Sequence, residues 1–413
     1  MTPWLLLLVS IIGACFTVSA LMRMRHLWFF VMPYFMAAWL TSELALHHIA
    51  WQAVATVVFV SLGALQAWPG VLGLVITLAS WVGLAIAYRR ALGSDATVRA
   101  ALEGLVDYQT LASVAPPKPR INPFRMRHPE AERIANIPYG DVLPGDKGRR
   151  NLLDIHRPAV GGERLPALLQ IHGGGWVMGE KEQQALPLMN HLASRGWICF
   201  AMNYRLSPRA TFPDQIVDVK RALKWIRTHG VAYGADPGFI CVTGGSAGGH
   251  LAALAALSEN DPSFQPGFED ADTSIAASVP FYGIYDLLDR NGLRGNMSMT
   301  SFLQRVVLKC SPEANPELWG NASPLTRVHV DAPPFLVIHG SHDSLAFVEE
   351  ARVFVDALRE KSRGPVAYAE FPGAQHAFDL FHSVRSAQAV RLTTAFLEHI
   401  HTAYRAGESR LQR

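Results

Sequence analysis

Two hydrophobic patterns divide the chain. Up to about residue 92 the apolar positions are nearly continuous. Trp4 to Met22, Ile49 to Ala67 and Val71 to Tyr88 are uncharged stretches. At the helical rise each covers roughly 27–28 Å, close to the hydrocarbon thickness of a bilayer, so the pattern predicts membrane-spanning helices. The turn Trp68-Pro69-Gly70 joins the last two. Leu27 to Leu40 is shorter, contains Pro33 and leads into Glu43 and His47-His48. It reads either as an interfacial segment or as a fourth span. Glu43, His47 and His48 are read as marking an interface turn, with no chemistry assigned to them.

Beyond Asp95 the pattern changes. Thr97 to Ala112 places Val98, Ala101, Leu102, Leu105, Val106 and Ala112 near one helical face, and Pro116-Pro117-Lys118-Pro119 then breaks the helix. Short apolar runs of strand type follow at Leu152–His156, Ala167–Ile171, Trp197–Met202, Phe239–Thr243, Ile275–Tyr282, Phe335–His339 and Val366–Phe371. Helical stretches lie between or after them, at Glu182–Ser194, Asp214–His229, Ala247–Leu257, Glu349–Lys361 and Ser386–His401. This alternation predicts an α/β unit with a mostly parallel sheet covered on both faces. The expected organisation is a transmembrane helical region over 1–92, a helix and stiff linker over 93–130 and an α/β catalytic unit over 131–413. Functional loops should lie at the carboxyl ends of the strands.

Composition sharpens this division. Half of the 413 residues are hydrophobic and 17% are charged, yet Glu43 is the only acid before Asp95 and no lysine precedes Lys118. No basic residue precedes the first apolar run, so Val18-Ser19-Ala20 is not read as a cleavage site. A net charge of +3, without basic runs interleaved with stacking aromatics, argues against a nucleic-acid partner. Cys15, Cys199, Cys241 and Cys310 form neither a disulfide framework nor a metal spacing, so no metal is expected. Arg23 and Arg25 follow the first span, and Arg89 and Arg90 follow the last. Three spans put both pairs in the cytoplasm, whereas four would carry the α/β unit across. The expectation is a multi-pass protein of the cell membrane with a cytoplasmic catalytic domain. Lys118, Arg120, Arg125, Arg127 and Arg133 form a loose basic stretch, read equally as an attraction to an anionic leaflet or as a solvated loop.

Candidate chemistry sits at strand ends. Gly244-Gly245-Ser246-Ala247-Gly248-Gly249 lies between a strand and a helix, where a serine protrudes on a tight turn. The Ala247 amide belongs to the first helical turn, where amides lack internal partners. His172-Gly173-Gly174-Gly175-Trp176 ends a different strand, and its glycines let backbone amides approach a developing oxyanion. It fits neither a dinucleotide loop nor a P-loop. Asp343 and His376 lie just past the last two strands. A hydroxyl needs a base near pH 7, and a carboxylate fixes the imidazole tautomer. The order Ser246, Asp343, His376 is the one expected of α/β-hydrolases. His339, His342 and His382 are competitors, but only His376 combines a glycine turn with a position after the last strand.

With these residues in place, the region from about 130 to 405 resembles the hormone-sensitive-lipase-like branch of the α/β-hydrolase esterases. Tyr204-Arg205-Leu206-Ser207-Pro208, Gly340 with Asp343, and Gly373 with His376 complete the matching pieces. The resemblance implies an α/β-hydrolase fold with eight strands and a serine carboxylesterase or lipase that needs no cofactor. It also implies an oxyanion hole from two of Gly173, Gly174 and Gly175 together with Ala247. A helical cap is implied from residues 96–130 and Asp286 to Val330, with Phe281, Tyr282, Phe302, Leu303 and Trp319 as candidates to line an acyl pocket. Relatives often carry an acid where Gly245 stands. The membrane half resembles the multi-span leader of certain actinobacterial esterases. The implied substrate is a small-molecule or lipid ester, with membrane lipids as surroundings. Two rivals remain, a non-catalytic ligand-binding protein on the same scaffold and an acyltransferase with the same triad. A prolyl-type peptidase would need a propeller domain for which the chain has no room. Oligomeric state is not legible in these patterns.

Overall fold

The computed structural model describes residues 1–24, 30–118, 120–146, 148–294 and 298–407. Arg25, the first part of Leu27–Leu40 and Pro119 lie outside the described residues.

Four helices form the N-terminal region: α1 (Thr2–Leu21), α2 (Val31–Glu43), α3 (Ala45–Ser61) and α4 (Trp68–Leu92). α1 and α4 run side by side in the same direction. Trp4 meets Trp68 at one end, with ring centroids 5.3 Å apart, and Arg90 Nη1 donates to the Leu21 carbonyl at the other. Their seam is built of small and hydroxylic residues. Ser10 bonds Thr77 at 2.8 Å and Thr17 bonds Ser80 at 2.6 Å, while a side chain on Gly73 would press on the Leu7 backbone. Leu8, Ile12, Val57, Val75 and Val82 face outward instead. Polar groups inside and apolar groups outside are what lipid, not water, selects.

α1 and the run Trp68–Leu102 are long and apolar enough to cross a membrane. A third span arises if α2 and α3, bent by 93° at their junction, act as one. The predicted second span is shorter than its apolar run. α3 stops at Ser61, Gly63 adopts a left-handed conformation, and Trp68 already belongs to the first turn of α4.

The predicted single helix over Thr97–Ala112 is two, α5 (Ser94–Leu102) and α6 (Tyr108–Ser113), separated at Gly104 with φ +76. They do not roof a pocket. Val98, Leu102, Leu111 and Val114 are buried in one apolar cluster with Phe371, Leu392 and Phe396. Arg391 ties them down by bonding Asp95 Oδ1 at 2.8 Å and the carbonyls of Leu111 and Val114.

The rest is one eight-stranded sheet in the order β1-β2-β4-β3-β5-β6-β7-β8. The strands are β1 (Ala131–Pro138), β2 (Leu152–Pro158), β3 (Leu165–Ile171), β4 (Ile198–Met202), β5 (Ala235–Gly245), β6 (Ala277–Phe281), β7 (Phe335–Gly340) and β8 (Val366–Phe371). β2 runs antiparallel to both neighbours and the other pairings are parallel. β1 escaped the hydrophobic pattern because, as an edge strand, it is largely exposed. Alternate strand residues enter two cores. Leu169 packs with α8 (Asp214–His229), α9 (Ala247–Ala256) and α12 (Val348–Lys361). Leu168 packs with α7 (Leu186–Ser194) and α13 (Val384–Arg405). Two covered faces explain the near-continuous apolar runs of the central strands. Cys199 and Cys241 are buried there, their thiols pushed up by loss of solvent. Between β6 and β7 an insertion carries the short helices α10 (Ser298–Phe302) and α11 (Pro316–Asn321).

Candidate active site

The turn after β5 is built by what its glycines omit. A Cβ on Gly244 would collide with the Gly248 carbonyl, and one on Gly248 with the Ile171 carbonyl. Ser246 between them holds φ 58 and ψ −120, outside the regions an L-residue ordinarily populates. Such strain, of order 1–3 kcal/mol, persists only where the surroundings over-determine it. Here the Ser246 amide donates to the Phe281 carbonyl at 3.0 Å and its own carbonyl accepts from His250, locking the turn onto β6 and α9. The side chain is only partly buried.

The glycine loop lies beside this turn because β3 pairs with β5 in a register that sets Ile171 opposite Gly244. Gly174 and Gly175 have φ of +120 and +60. The loop is held from behind. Tyr204 Oη donates to the His172 carbonyl at 2.9 Å, and its ring stacks on the His172 ring at 4.3 Å. Burial pushes the His172 imidazole down to about 4, so it stays neutral. Trp176 Nε1 donates to His250 Nδ1 at 3.2 Å, joining the loop to α9. The Gly173 amide is committed elsewhere, donating to Gln184 Oε1 at 2.6 Å. No such bond engages the amides of Gly174, Gly175 or Ala247 among the described residues. Gly173 serves close approach instead, since a Cβ there would lie 3.1 Å from Ser246 Cβ.

Asp343 and His376 meet at 2.6 Å, Oδ2 to Nδ1, bridging the loops after β7 and β8. The other Asp343 oxygen accepts the amides of Leu345 and Ala346, each at 2.8 Å. Complete burial would raise its pKa. The His376 charge and hydrogen bonds from His339 and His376 outweigh that and hold the carboxyl well below the usual range. His339 Nε2 stands 3.3 Å from Oδ2 and 2.8 Å from the Ala346 carbonyl, so it supports the acid from inside the sheet. Gln375 Oε1 accepts the amides of both Ser344 and His376, clamping the two loops together. His342 and His382 are not bonded to Asp343, and burial pushes both down to about 4. No hydrogen bond joins Ser246 Oγ to the His376 ring among the described residues. In unliganded enzymes that contact is commonly loose and tightens with substrate.

Two aromatic rings neighbour the His376 ring, Tyr282 at 4.5 Å and Phe35 of α2 at 6.2 Å between centroids. Tyr282 Oη donates to Asp379, whose carboxyl is pushed up by burial. Phe302 lies near the glycine loop, its Cζ 3.9 Å from where a Gly175 Cβ would be. Leu303 and Trp319 do not line a pocket. Both are fully buried in the core, and the Trp319 indole donates to the Cys310 carbonyl. Sequence reasoning missed Gln184, Gln375, Asp379 and the approach of α2 to the histidine loop. Tyr204 stood in a quoted motif without a role, and Asp379 lies three residues past the histidine. Neither spacing announces a partner so distant in the chain.

An open, mostly parallel eight-stranded sheet with a strained serine turn between β5 and α9, and an acid and a histidine at the ends of β7 and β8, defines an α/β-hydrolase fold. A family model described as BD-FAE matches residues 153–358. The probable carboxylic ester hydrolase LipM of Mycobacterium tuberculosis is 52% identical over 270 residues, 65% of this chain and 62% of LipM. The chain therefore spans less than two thirds of that relative. Esterase LipC of the same organism is 40% identical over 306 residues, 73% of this chain and 74% of LipC. Among solved structures, the thermophilic esterase Est2 of Thermogutta terrifontis superposes with a TM-score of 0.52 at 26% identity, covering 69% of this chain and 95% of that one. The chain belongs to the hormone-sensitive-lipase-like family of α/β-hydrolase esterases.

Proposed function

We propose that this protein is a membrane-anchored serine carboxylesterase or lipase acting on a small-molecule or lipid ester. The observation that carries the reading is the Asp343–His376 bond at 2.6 Å on the rim that also bears the strained Ser246. A carboxylate can only accept, so Nδ1 holds the proton and Nε2 is the basic nitrogen. In the proposed mechanism Ser246 Oγ attacks the ester carbonyl while its proton passes to Nε2. The amides of Gly174, Gly175 and Ala247 receive the oxyanion. Collapse of the tetrahedral intermediate expels the alcohol, which takes the proton from His376 and leaves an acyl-enzyme. Water, deprotonated by the same nitrogen, releases the acid and frees Ser246. Asp343 orients the ring and stabilises the imidazolium.

Membrane anchoring is supported by the inverted helical region, with hydroxyls inside and apolar side chains outside. Because α1 and α4 run in the same direction, two spanning helices require a return crossing between them, and the bent pair α2–α3 is the segment available for it. α2 packs against the histidine loop and so belongs to the side of the hydrolase. Arg23, Arg89 and Arg90 stand on that side too, which favours a cytoplasmic catalytic domain.

The test is turnover of p-nitrophenyl esters of graded chain length by the purified full chain, with fluorophosphonate labelling. Wild-type protein is expected to label at Ser246 and turn over. Ser246→Ala should abolish labelling and retain only the ~10³–10⁴-fold advantage over water that binding and the oxyanion site supply. An unlabelled, inactive wild type would instead favour a ligand-binding role.

A further inference from the structure

α2 lies outside the hydrolase fold, yet one of its faces follows the histidine loop residue by residue. Phe35, Trp39 and Glu43 are spaced four apart and so share a helical face. Phe35 presents its ring to His376 at an interplanar angle of 73° and stacks on Trp39. Trp39 Nε1 donates to the Ala377 carbonyl at 2.9 Å, and its ring packs on Phe381 at 5.3 Å. Glu43 accepts from Ser383 Oγ at 2.7 Å and pairs with Arg385 Nη1 at 2.8 Å, with both charged side chains buried. The same helix thus touches residues 376, 377, 381, 383 and 385 in order.

The loop needs such support. Ala377 has φ 60, a left-handed conformation that costs a residue with a Cβ. Its carbonyl is the acceptor that Trp39 engages. Displacing α2 would leave that carbonyl to the Leu380 amide alone, at 3.3 Å, and remove one of the two aromatic rings near the imidazole. Tyr282 would still contact the ring and Asp343 would still hold Nδ1, so what is lost is a restraint on the tilt of the ring.

We propose that Trp39 and Phe35 are positioning residues for His376, which makes the apolar N-terminal region a working part of the active site as well as an anchor. This rests on the reading of His376 as the base. Trp39 fixes the backbone just after the histidine, Phe35 limits the tilt of its ring, and the Glu43–Arg385 pair clamps the far end of the loop.

The experiment uses the full chain in detergent micelles, with p-nitrophenyl butyrate as substrate and active sites counted by fluorophosphonate titration. Trp39→Phe removes the donor and keeps an aromatic ring. It is expected to lower kcat per titrated site about tenfold, with KM and Tm unchanged. Phe35→Ala should lower kcat further, and Phe35→Leu should restore part of it. Wild-type kcat per titrated site in both Trp39→Phe and Phe35→Ala would overturn the inference. So would a loss wholly accounted for by fewer titratable sites or matched by a rise in KM. An inactive, unlabelled wild type would remove the functional reading and this inference with it. An active wild type with unaffected variants would remove the inference alone.

Discussion

The Tyr282 ring fills the space that any side chain at residue 245 would need: a Cβ on Gly245 would lie 2.8 Å from both Cε2 and Oη of that ring. This gives a physical reason for glycine at residue 245. The ring cannot retreat easily, because its hydroxyl donates to the buried Asp379 and its centroid lies 4.5 Å from that of His376. Gly245→Ala is therefore expected to push Tyr282 toward the imidazole. The variant should lose most esterase activity and show a lowered Tm. Steady-state kinetics alongside a thermal scan would check it, and an active, stable Gly245→Ala protein would contradict this account.

Tyr204 holds the glycine loop through a single hydrogen bond to the His172 carbonyl. Tyr204→Phe keeps the stacked ring and deletes the donor, leaving a buried carbonyl with one partner fewer. A net loss of about 1 kcal/mol is usual for such a bond. If the loop amides receive charge that exists only in the transition state, kcat should fall by roughly five- to tenfold with KM nearly constant. A change confined to KM would point to a role in substrate binding alone.

Lys220 provides a pH test independent of catalysis. Its amine is buried on α8, donates to the carbonyls of Ala255 and Ser258 at 3.1 and 2.6 Å, and contacts Thr273 Oγ1. Burial pulls it from its ordinary 10.5 down to about 7, only partly opposed by the charges of Glu259 and Asp261. Between those values the unfolded chain binds more protons than the folded one, so stability should rise with pH from about 7 towards 10. The slope has a ceiling of about 1.4 kcal/mol per pH unit. Thermal melts across that range should show the rise in wild-type protein and its disappearance in Lys220→Met. A flat wild-type profile would mean the amine stays charged when folded.

The Glu43–Arg385 pair spans 342 positions of sequence and carries both charges out of water. Removing one partner strands the other, at a cost of about 3–5 kcal/mol for buried pairs. Glu43→Gln and Arg385→Met should each lower Tm substantially. The double variant should lose much less than the two losses combined, and strict additivity would mean the two groups are not coupled.

Seven of the eight strands, the turn that carries Ser246 and the strand-end loops that carry Asp343 and His376 were legible because each depends on local chemistry. Uncharged runs of bilayer length, strands buried on both faces and glycines at a turn leave marks within a few residues of where they act. β1 left a weak mark because an edge strand needs few apolar positions. The helix predicted over Thr97–Ala112 broke at Gly104, where a positive φ overrode a continuous apolar face.

Glu43 shows where reading along the chain stops. As the one acid in the first 94 residues it was conspicuous, and it was read as an interface marker. Its partner, Arg385, emerges only when α2 folds back over the histidine loop. Likewise, Gln184 occupying the Gly173 amide, Gln375 joining two loops and Tyr282 standing over Gly245 are pairings between side chains remote in sequence. The sequence by itself determined which backbone turns form and which side chains stand at them, because sterics and hydrophobic period act over short range. Only the tertiary structure decided which amides stay free and what holds the imidazole, because packing selects partners by position in space.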